Sequence, residues 1–257
     1  MIKLFNYFLP LLISCISVMA FAQPDPNFHL YLLAGQSNMA GRGEISGKYK
    51  TEGSTQVYML TKNNEWVLAK NPLHFDKPAV VGVGPGLSFG LQMGKVSPDV
   101  KIGLVPCAVG GTSIDAWKAG GYDKATKTHP YDDALIRIRE AMKSGVFKGI
   151  VWHQGESDSA PEAAAAYFDK LADLIGNFRE IIEAPDLPFV AGELGTFKDQ
   201  YKTINSVLRE LPGRIKHTAV ASSKGLEHNG DVTHFDSSSA GELGKRFAKQ
   251  MRKIQKR

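Results

Sequence analysis

The sequence predicts an α/β protein, a three-layer α/β/α sandwich built on a central parallel sheet. Short apolar runs of strand length recur along the chain without the polar alternation of a half-exposed strand. Amphipathic segments with helical spacing lie between them. The 257 residues are 43% hydrophobic and 22% charged, which suits one sizeable core and leaves too little chain for two comfortable domains.

The elements follow in order. His29 to Ala34 reads as a buried strand ending at Gly35. Gln56 to Leu60 is a short strand. Trp66 and Val67 pair back to it across the polar turn Lys62-Asn63-Asn64-Glu65. Pro72 to Pro85 is loop, and Gly84-Pro85-Gly86 is expected to hold off a helix until Leu87 to Lys95. Lys101 to Val109 is a strand. Asp132 to Ser144 places Leu135, Ile138 and Met142 on one helical face. Gly149 to His153 is a strand. Pro161 to Ile182 is one long helix with proline in its first turn. Pro188 to Glu193 is a strand, Gln200 to Leu211 a helix, Thr218 to Ser222 a strand and Ser239 to Ile254 the last helix. Right-handed crossovers bring the carboxyl ends of parallel strands to one rim. Ser37, Gly110, Gln154 and Glu156 all follow strands there, so residues distant in sequence are expected to share a cleft.

The first residues differ in kind. Met1-Ile2-Lys3 is a positive start, Leu4 to Val18 is mostly apolar, and Ala20-Phe21-Ala22 precedes Gln23. This is the pattern of a secretory signal peptide, so residues 1–22 are read as a leader and 23–257 as the domain, secreted or periplasmic. Pro10 and the short apolar run argue against a spanning helix. Leu12-Ile13-Ser14-Cys15 resembles a bacterial lipoprotein box, and lipidation at Cys15 is the one route to a membrane. Loss of the leader lowers the formal charge from +5 to +4 and leaves Cys107 alone, a buried thiol rather than a disulfide partner. Lys245, Arg246, Lys249, Arg252, Lys253, Lys256 and Arg257 read as the solvated face of a terminal helix, and no nucleic-acid partner is expected.

Four segments carry chemistry. Gly35-Gln36-Ser37-Asn38 delivers a serine at a strand end, and Gly110-Gly111-Thr112-Ser113 is a glycine turn after another strand. His153-Gln154-Gly155-Glu156-Ser157-Asp158 closes a third strand, and Asp231-Val232-Thr233-His234 puts an acid three residues before an imidazole. A serine hydroxyl needs a base to become a nucleophile, and imidazole is the side chain that ordinarily titrates nearest neutral pH. Taken together and in this order, the segments resemble the SGNH hydrolase superfamily. Within it they resemble the carbohydrate O-acetylesterase branch of sialate O-acetylesterases and acetyl xylan esterases (carbohydrate esterase family six-like). Glutamine at position 154, where the superfamily name implies asparagine, narrows the resemblance to that branch. It spans roughly residues 29 to 247.

The resemblance implies a flavodoxin-like SGNH fold, a serine esterase and an acetyl-serine intermediate on an acetylated glycan. It implies Ser37 as nucleophile, His234 as base and Asp231 as its orienting acid. Backbone N–H groups of Ser37 and Gly110 and the side-chain amide of Gln154 are expected to form the oxyanion hole, with Gly111 an alternative to Gly110. Glu156 and His153 are expected in supporting roles, Glu156 either holding Gln154 or acting as a second acid. No cofactor is implied. His29, His74, His129, His217 and His228 lack metal-ligand spacing, and no metal site is expected. Two readings stand for Trp117, sugar stacking at the cleft mouth or core packing. Two also stand for Arg42, an acidic sugar or a neighbouring carboxylate as partner, and for Asp115, orienting Gly110-Gly111 or binding sugar hydroxyls. The rival functions are a short-chain lipase or thioesterase of the same superfamily, a non-catalytic carbohydrate-binding protein and, by topology alone, a flavodoxin-type carrier.

Overall fold

A computed structural model describes residues 23–256. The expected signal peptide and Cys15 lie outside the described residues. The strands are β1 (Asp25–Gly35), β2 (Val57–Leu60), β3 (Trp66–Leu68), β4 (Lys101–Pro106), β5 (Gly145–His153), β6 (Phe189–Gly192) and β7 (Thr218–Ala221). The helices are α1 (Ser37–Ala40), α2 (Pro85–Lys95), α3 (Pro130–Met142), α4 (Pro161–Ala165), α5 (Tyr167–Ile181), α6 (Tyr201–Arg214) and α7 (Ser237–Gln255).

The strands form one seven-stranded sheet in the order β3-β2-β4-β1-β5-β6-β7. All neighbours pair in parallel except β3, which returns antiparallel to β2 at the edge. The chain winds from β1 outward first to one side and later to the other. The sheet therefore has its topological switch beside β1, where the carboxyl ends of β1, β4 and β5 open a crevice.

Successive residues of β1 point to opposite faces and enter separate cores. Leu30, Leu32 and Ala34 join the core that holds Ile138 of α3, Leu171 and Leu174 of α5 and Ile204 and Leu208 of α6. Tyr31 and Leu33 join the core of Leu87, Phe89 and Met93 of α2 and Leu243, Phe247 and Met251 of α7. Two apolar faces, each under its own helices, make the three layers.

Several ends shift by a few residues: β5 begins at Gly145 rather than Gly149, and β4 ends at Pro106 rather than Val109. Two further differences have a distinct physical cause. The helix after the Gly84–Gly86 stretch begins at Pro85, with Gly84 as its cap. Proline breaks a helix interior, but at the first position its missing N–H costs nothing and its fixed φ suits the turn. The long helix expected over 161–182 is two, divided at Ala166. Tyr167, the first residue after the break, is fully buried and donates its hydroxyl to the Gln154 carbonyl at 2.9 Å. The helix preference of the alanine run yields there to a tertiary anchor.

Candidate active site

Ser37 begins α1 immediately beyond β1. The strand can end there because residue 35 is glycine. Its φ is +130°, and a Cβ on it would collide with the His153 carbonyl of β5. The Gln36 N–H instead donates to that carbonyl at 2.9 Å. The turn thus presents Ser37 at the crevice.

The loop between β7 and α7 brings the acid and the imidazole. Asp231 Oδ1 accepts the N–H groups of Thr233 and His234, each at 2.8 Å, which folds the four residues into a tight turn. Asp231 Oδ2 lies 2.5 Å from His234 Nδ1, and His234 Nε2 lies 2.9 Å from Ser37 Oγ. A carboxylate can only accept, so Nδ1 carries the proton and Nε2 offers its lone pair to the serine. Partial burial pushes the Asp231 carboxyl up, but the His234 and Thr233 N–H bonds and the imidazole outweigh it and hold the group below its usual range. Ser37, Asp231 and His234 line one cleft of about 660 Å³ with Gln36, Arg42, Gly110, Gly111, Glu156 and the rim cations Lys77 and Lys198.

The residues expected to hold an oxyanion separate into two groups. Gln154 is fully buried and does not line the cleft. Its two Nε2 hydrogens face three acceptors, the Thr112 carbonyl at 3.0 Å, Gln36 Oε1 at 3.2 Å and the Asp158 carboxylate, while its Oε1 shares the Tyr167 hydroxyl proton with the Gln154 carbonyl. A flipped amide would set oxygen against the Asp158 carboxylate, so this orientation is fixed. Gln154 therefore ties the three strand ends together rather than offering a donor to the cleft. The Gly110 N–H is also committed, to Asp76 Oδ2 at 2.8 Å. The turn Val109 to Thr112 leaves the next amide free. Gly111, at φ +89°, occupies the position where such a turn needs a positive φ. Among the described residues, the N–H groups of Ser37 and Gly111 and the Nε2 of Gln36 have no acceptor. All three residues line the cleft. Gln36 Oε1 faces N–H donors from Gln154, Gly155 and Ser157, which fixes the direction of its amide.

Glu156 neither holds Gln154 nor reaches His234. Its Oε1 accepts from Asn38 Nδ2 at 2.6 Å, and Oε2 is buried without a partner. Asn38 also donates to the Thr233 carbonyl at 3.0 Å and accepts the Phe235 N–H at 3.0 Å, gripping the backbone on both sides of His234. His153 is fully buried beneath the site. Its Nε2 donates to the Glu193 carbonyl at 3.0 Å, and its Nδ1 lies 3.8 Å from Glu156 Oε1. Burial holds its pKa down, so it supports the floor as a neutral ring.

Of the two partners read for Arg42, the carboxylate is the one present. Arg42 Nη2 pairs with Asp76 at 2.8 Å, and the Asp76 side chain is only 1% exposed. Burial pushes that carboxyl up, but the guanidinium and the Gly110 N–H prevail and hold it low. A Cβ on Gly110 would overlap Arg42 Nη2 and lie 2.9 Å from Asp76 Oδ2 and 3.3 Å from Ser37 Cβ, so this close approach requires glycine. Trp117 is core, edge-on to Trp152 at 5.1 Å with its Nε1–H on the Thr112 hydroxyl. Asp115 pairs with Lys170 at 2.7 Å and lies outside the cleft. Burial raises the Cys107 thiol to about 11, which leaves it unreactive. Among the described residues no three His, Cys, Asp or Glu are grouped to hold a metal ion.

Sequence reasoning left Asn38, Gln36 and Asp76 without roles. The first two stand inside a recognised segment, and a polar side chain next to a nucleophile was the available signal. Asp76 lies in an irregular loop, where no periodicity marks an inward-facing acid.

A family model described as carbohydrate esterase, sialic acid-specific acetylesterase matches residues 27–253. A probable carbohydrate esterase of Arabidopsis thaliana is 29% identical over 240 residues, covering 86% of this chain and 89% of its own. The crystal structure of that plant protein superposes with a TM-score of 0.79, covering 89% of this chain and 99% of that one. NanS matches at a TM-score of 0.71 and 18% identity over 90% of this chain and 99% of its own. A carbohydrate acetylesterase from Xanthomonas citri matches at 0.68 and 18% over 88% of this chain and 56% of its own. The last two likenesses concern the fold.

Proposed function

The chain belongs to the carbohydrate esterase family of sialic acid-specific acetylesterases, and from that membership we propose that it removes acetyl groups from a sugar through a covalent acetyl-Ser37 intermediate. The single observation that carries the mechanism is the continuous line Asp231–His234–Ser37, with 2.5 Å and 2.9 Å between its polar atoms.

In this mechanism Ser37 Oγ attacks the ester carbonyl while His234 Nε2 takes its proton. Asp231 stabilises the imidazolium that results. The oxyanion of the tetrahedral intermediate is received by the N–H groups of Ser37 and Gly111, with the Gln36 amide as a third donor. One such donor is typically worth about 2.7–4 kcal/mol. As the intermediate collapses and its bond to the sugar oxygen breaks, the imidazolium protonates that oxygen and the sugar leaves as an alcohol. A water, deprotonated by the same nitrogen, releases acetate and restores Ser37.

The cleft lining favours a polar alcohol and a small acyl group. Among the described residues, Val80 and Tyr201 are the only large apolar side chains that line it, which is little surface for a long acyl chain. Lys77 and Lys198 on the rim supply positive charge that an acidic sugar of the sialate type would use. The leader read in residues 1–22 puts the activity in the periplasm or outside the cell.

Labelling by a fluorophosphonate serine-hydrolase probe should modify wild type at Ser37 and leave Ser37→Ala unmodified. Acetate release should be compared on O-acetylated sialic acid, acetylated xylooligosaccharide and acetylated pectic fragments. Lys77→Ala should raise KM for the first and leave the second within about two-fold, since loss of a rim charge acts through the substrate's own charge. Labelling at another residue would overturn the mechanism.

A further inference from the structure

Resting on the reading of His234 as base, we propose that Asn38 and Glu156 are positioning residues that set His234 against Ser37. His234 sits on a loop whose preceding residues, His228 to Val232, are all exposed. Such a segment has little buried surface of its own to fix it. Asp231 holds the Nδ1 side of the ring and the His234 N–H, and the Asn229 N–H holds the His234 carbonyl at 2.9 Å, but these partners belong to the same exposed loop. The remaining tethers act further from the ring. The Phe235 side chain packs edge-on against Phe197 at 5.4 Å and His153 at 5.7 Å. Lys198 Nζ holds the Thr233 hydroxyl at 2.9 Å, and Asn229 Nδ2 reaches the Arg42 carbonyl at 3.4 Å. Among the described residues, the Asn38 side chain alone binds the main chain on both sides of His234, at the Thr233 carbonyl and the Phe235 N–H. Because Asn38 follows Ser37 directly in the chain, one amide references nucleophile and base to each other.

Glu156 reinforces the direction of that amide, which the Thr233 carbonyl and the Phe235 N–H also require. An asparagine amide has nearly equal shape in both flips, but only one flip puts NH₂ towards a carboxylate. With Glu156 Oε1 at 2.6 Å, the NH₂ is directed to Glu156 and the Thr233 carbonyl, and Oδ1 is left for the Phe235 N–H. Every donor and acceptor of the amide is then matched. Glu156 thus acts on His234 through Asn38, although it touches neither the imidazole nor Asp231.

The test is a donor–acceptor exchange read with 4-nitrophenyl acetate. Asn38→Asp opposes two carboxylates and loses both donated bonds, so kcat should fall about 100-fold, the scale of a small misplacement of a catalytic group, while KM stays within about three-fold. In Asn38→Asp/Glu156→Gln the donor and acceptor trade places and the bond re-forms, so at least roughly ten-fold of kcat should return, the coupling expected of contacting residues. In a His234→Ala background, Asn38→Asp should change the residual rate by less than about two-fold, because the group it positions is gone. Asn38→Ala removes the grip without adding charge and serves for the same cycle if the aspartate variant does not fold. No recovery in the exchange, or losses that simply multiply with His234→Ala, would overturn the positioning role. Full activity of His234→Ala alone would instead overturn the reading of His234 as base.

Discussion

His234 Nε2 lies 2.9 Å from Ser37 Oγ, although 197 positions separate the two residues in the chain. The serine stands at the end of the central strand and the imidazole on a loop entering the last helix. The parallel sheet makes them neighbours by collecting strand ends at one rim.

That contact makes Ser37→Ala the first variant to examine. The serine hydroxyl contributes one bond at the cleft and no core packing, so the melting temperature should stay within a few degrees. Hydrolysis of an acetyl ester should fall at least about 1,000-fold, because no alternative nucleophile stands at that position. Measurable turnover at the wild-type rate would remove Ser37 from the reaction.

Asp231→Asn should be less damaging. The Asp231 side chain is 44% exposed, so water solvates part of the charge it provides. A loss of about 100-fold in kcat/KM is expected, smaller than the ~10⁴ typical of a buried acid in this role. Wild-type kcat/KM in Asp231→Asn would remove Asp231 from the site.

Asp76→Ala should mainly affect stability and the oxyanion turn. The substitution leaves the Arg42 guanidinium, 8% exposed, without its carboxylate and frees the Gly110 N–H. Breaking a buried pair from one side costs about 3–5 kcal/mol. Chemical denaturation should read a loss of that order, with kcat reduced because the turn carrying Gly111 is no longer held. Asp76→Asn retains an acceptor for Gly110 and should recover part of kcat but little of the stability.

The fold was legible from the alternation of unbroken apolar runs with amphipathic segments, and the order of elements follows that pattern throughout. Boundaries were less so, because Pro85 and Ala166 act through first-turn geometry and a buried tyrosine that no local window reveals. Ser37, Asp231 and His234 stood out because their spacing and order are chemically peculiar. The oxyanion donors did not. Whether Gly110, Gly111, Gln36 or Gln154 has a free N–H depends on who else claims it, and the claimants, Asp76 and Asp158, come from other parts of the chain. Sequence can nominate a donor, but only the partner list of its hydrogen bonds decides whether it is available.

The acid limit of stability should trace to His74. Its ring is buried against the Leu33 carbonyl, with Nε2 at 3.4 Å, and burial depresses its pKa strongly. Asp76 and the carbonyl bond pull the other way, and Arg137 and Arg42 add to the depression. The sign follows from proton counting. Unfolded, the imidazole binds a proton below about pH 6.5. Folded, it stays neutral to lower pH, so the unfolded state holds more protons in that interval and stability falls as the solution is acidified through it. A His74→Gln variant keeps a side-chain amide for the carbonyl but cannot titrate. It should be less stable than wild type near neutrality, because a buried ring is replaced, yet lose less of its stability between pH 6.5 and pH 4.5. Parallel stability–pH curves for the two proteins would assign the acid sensitivity to another buried group, with His153 the next to substitute.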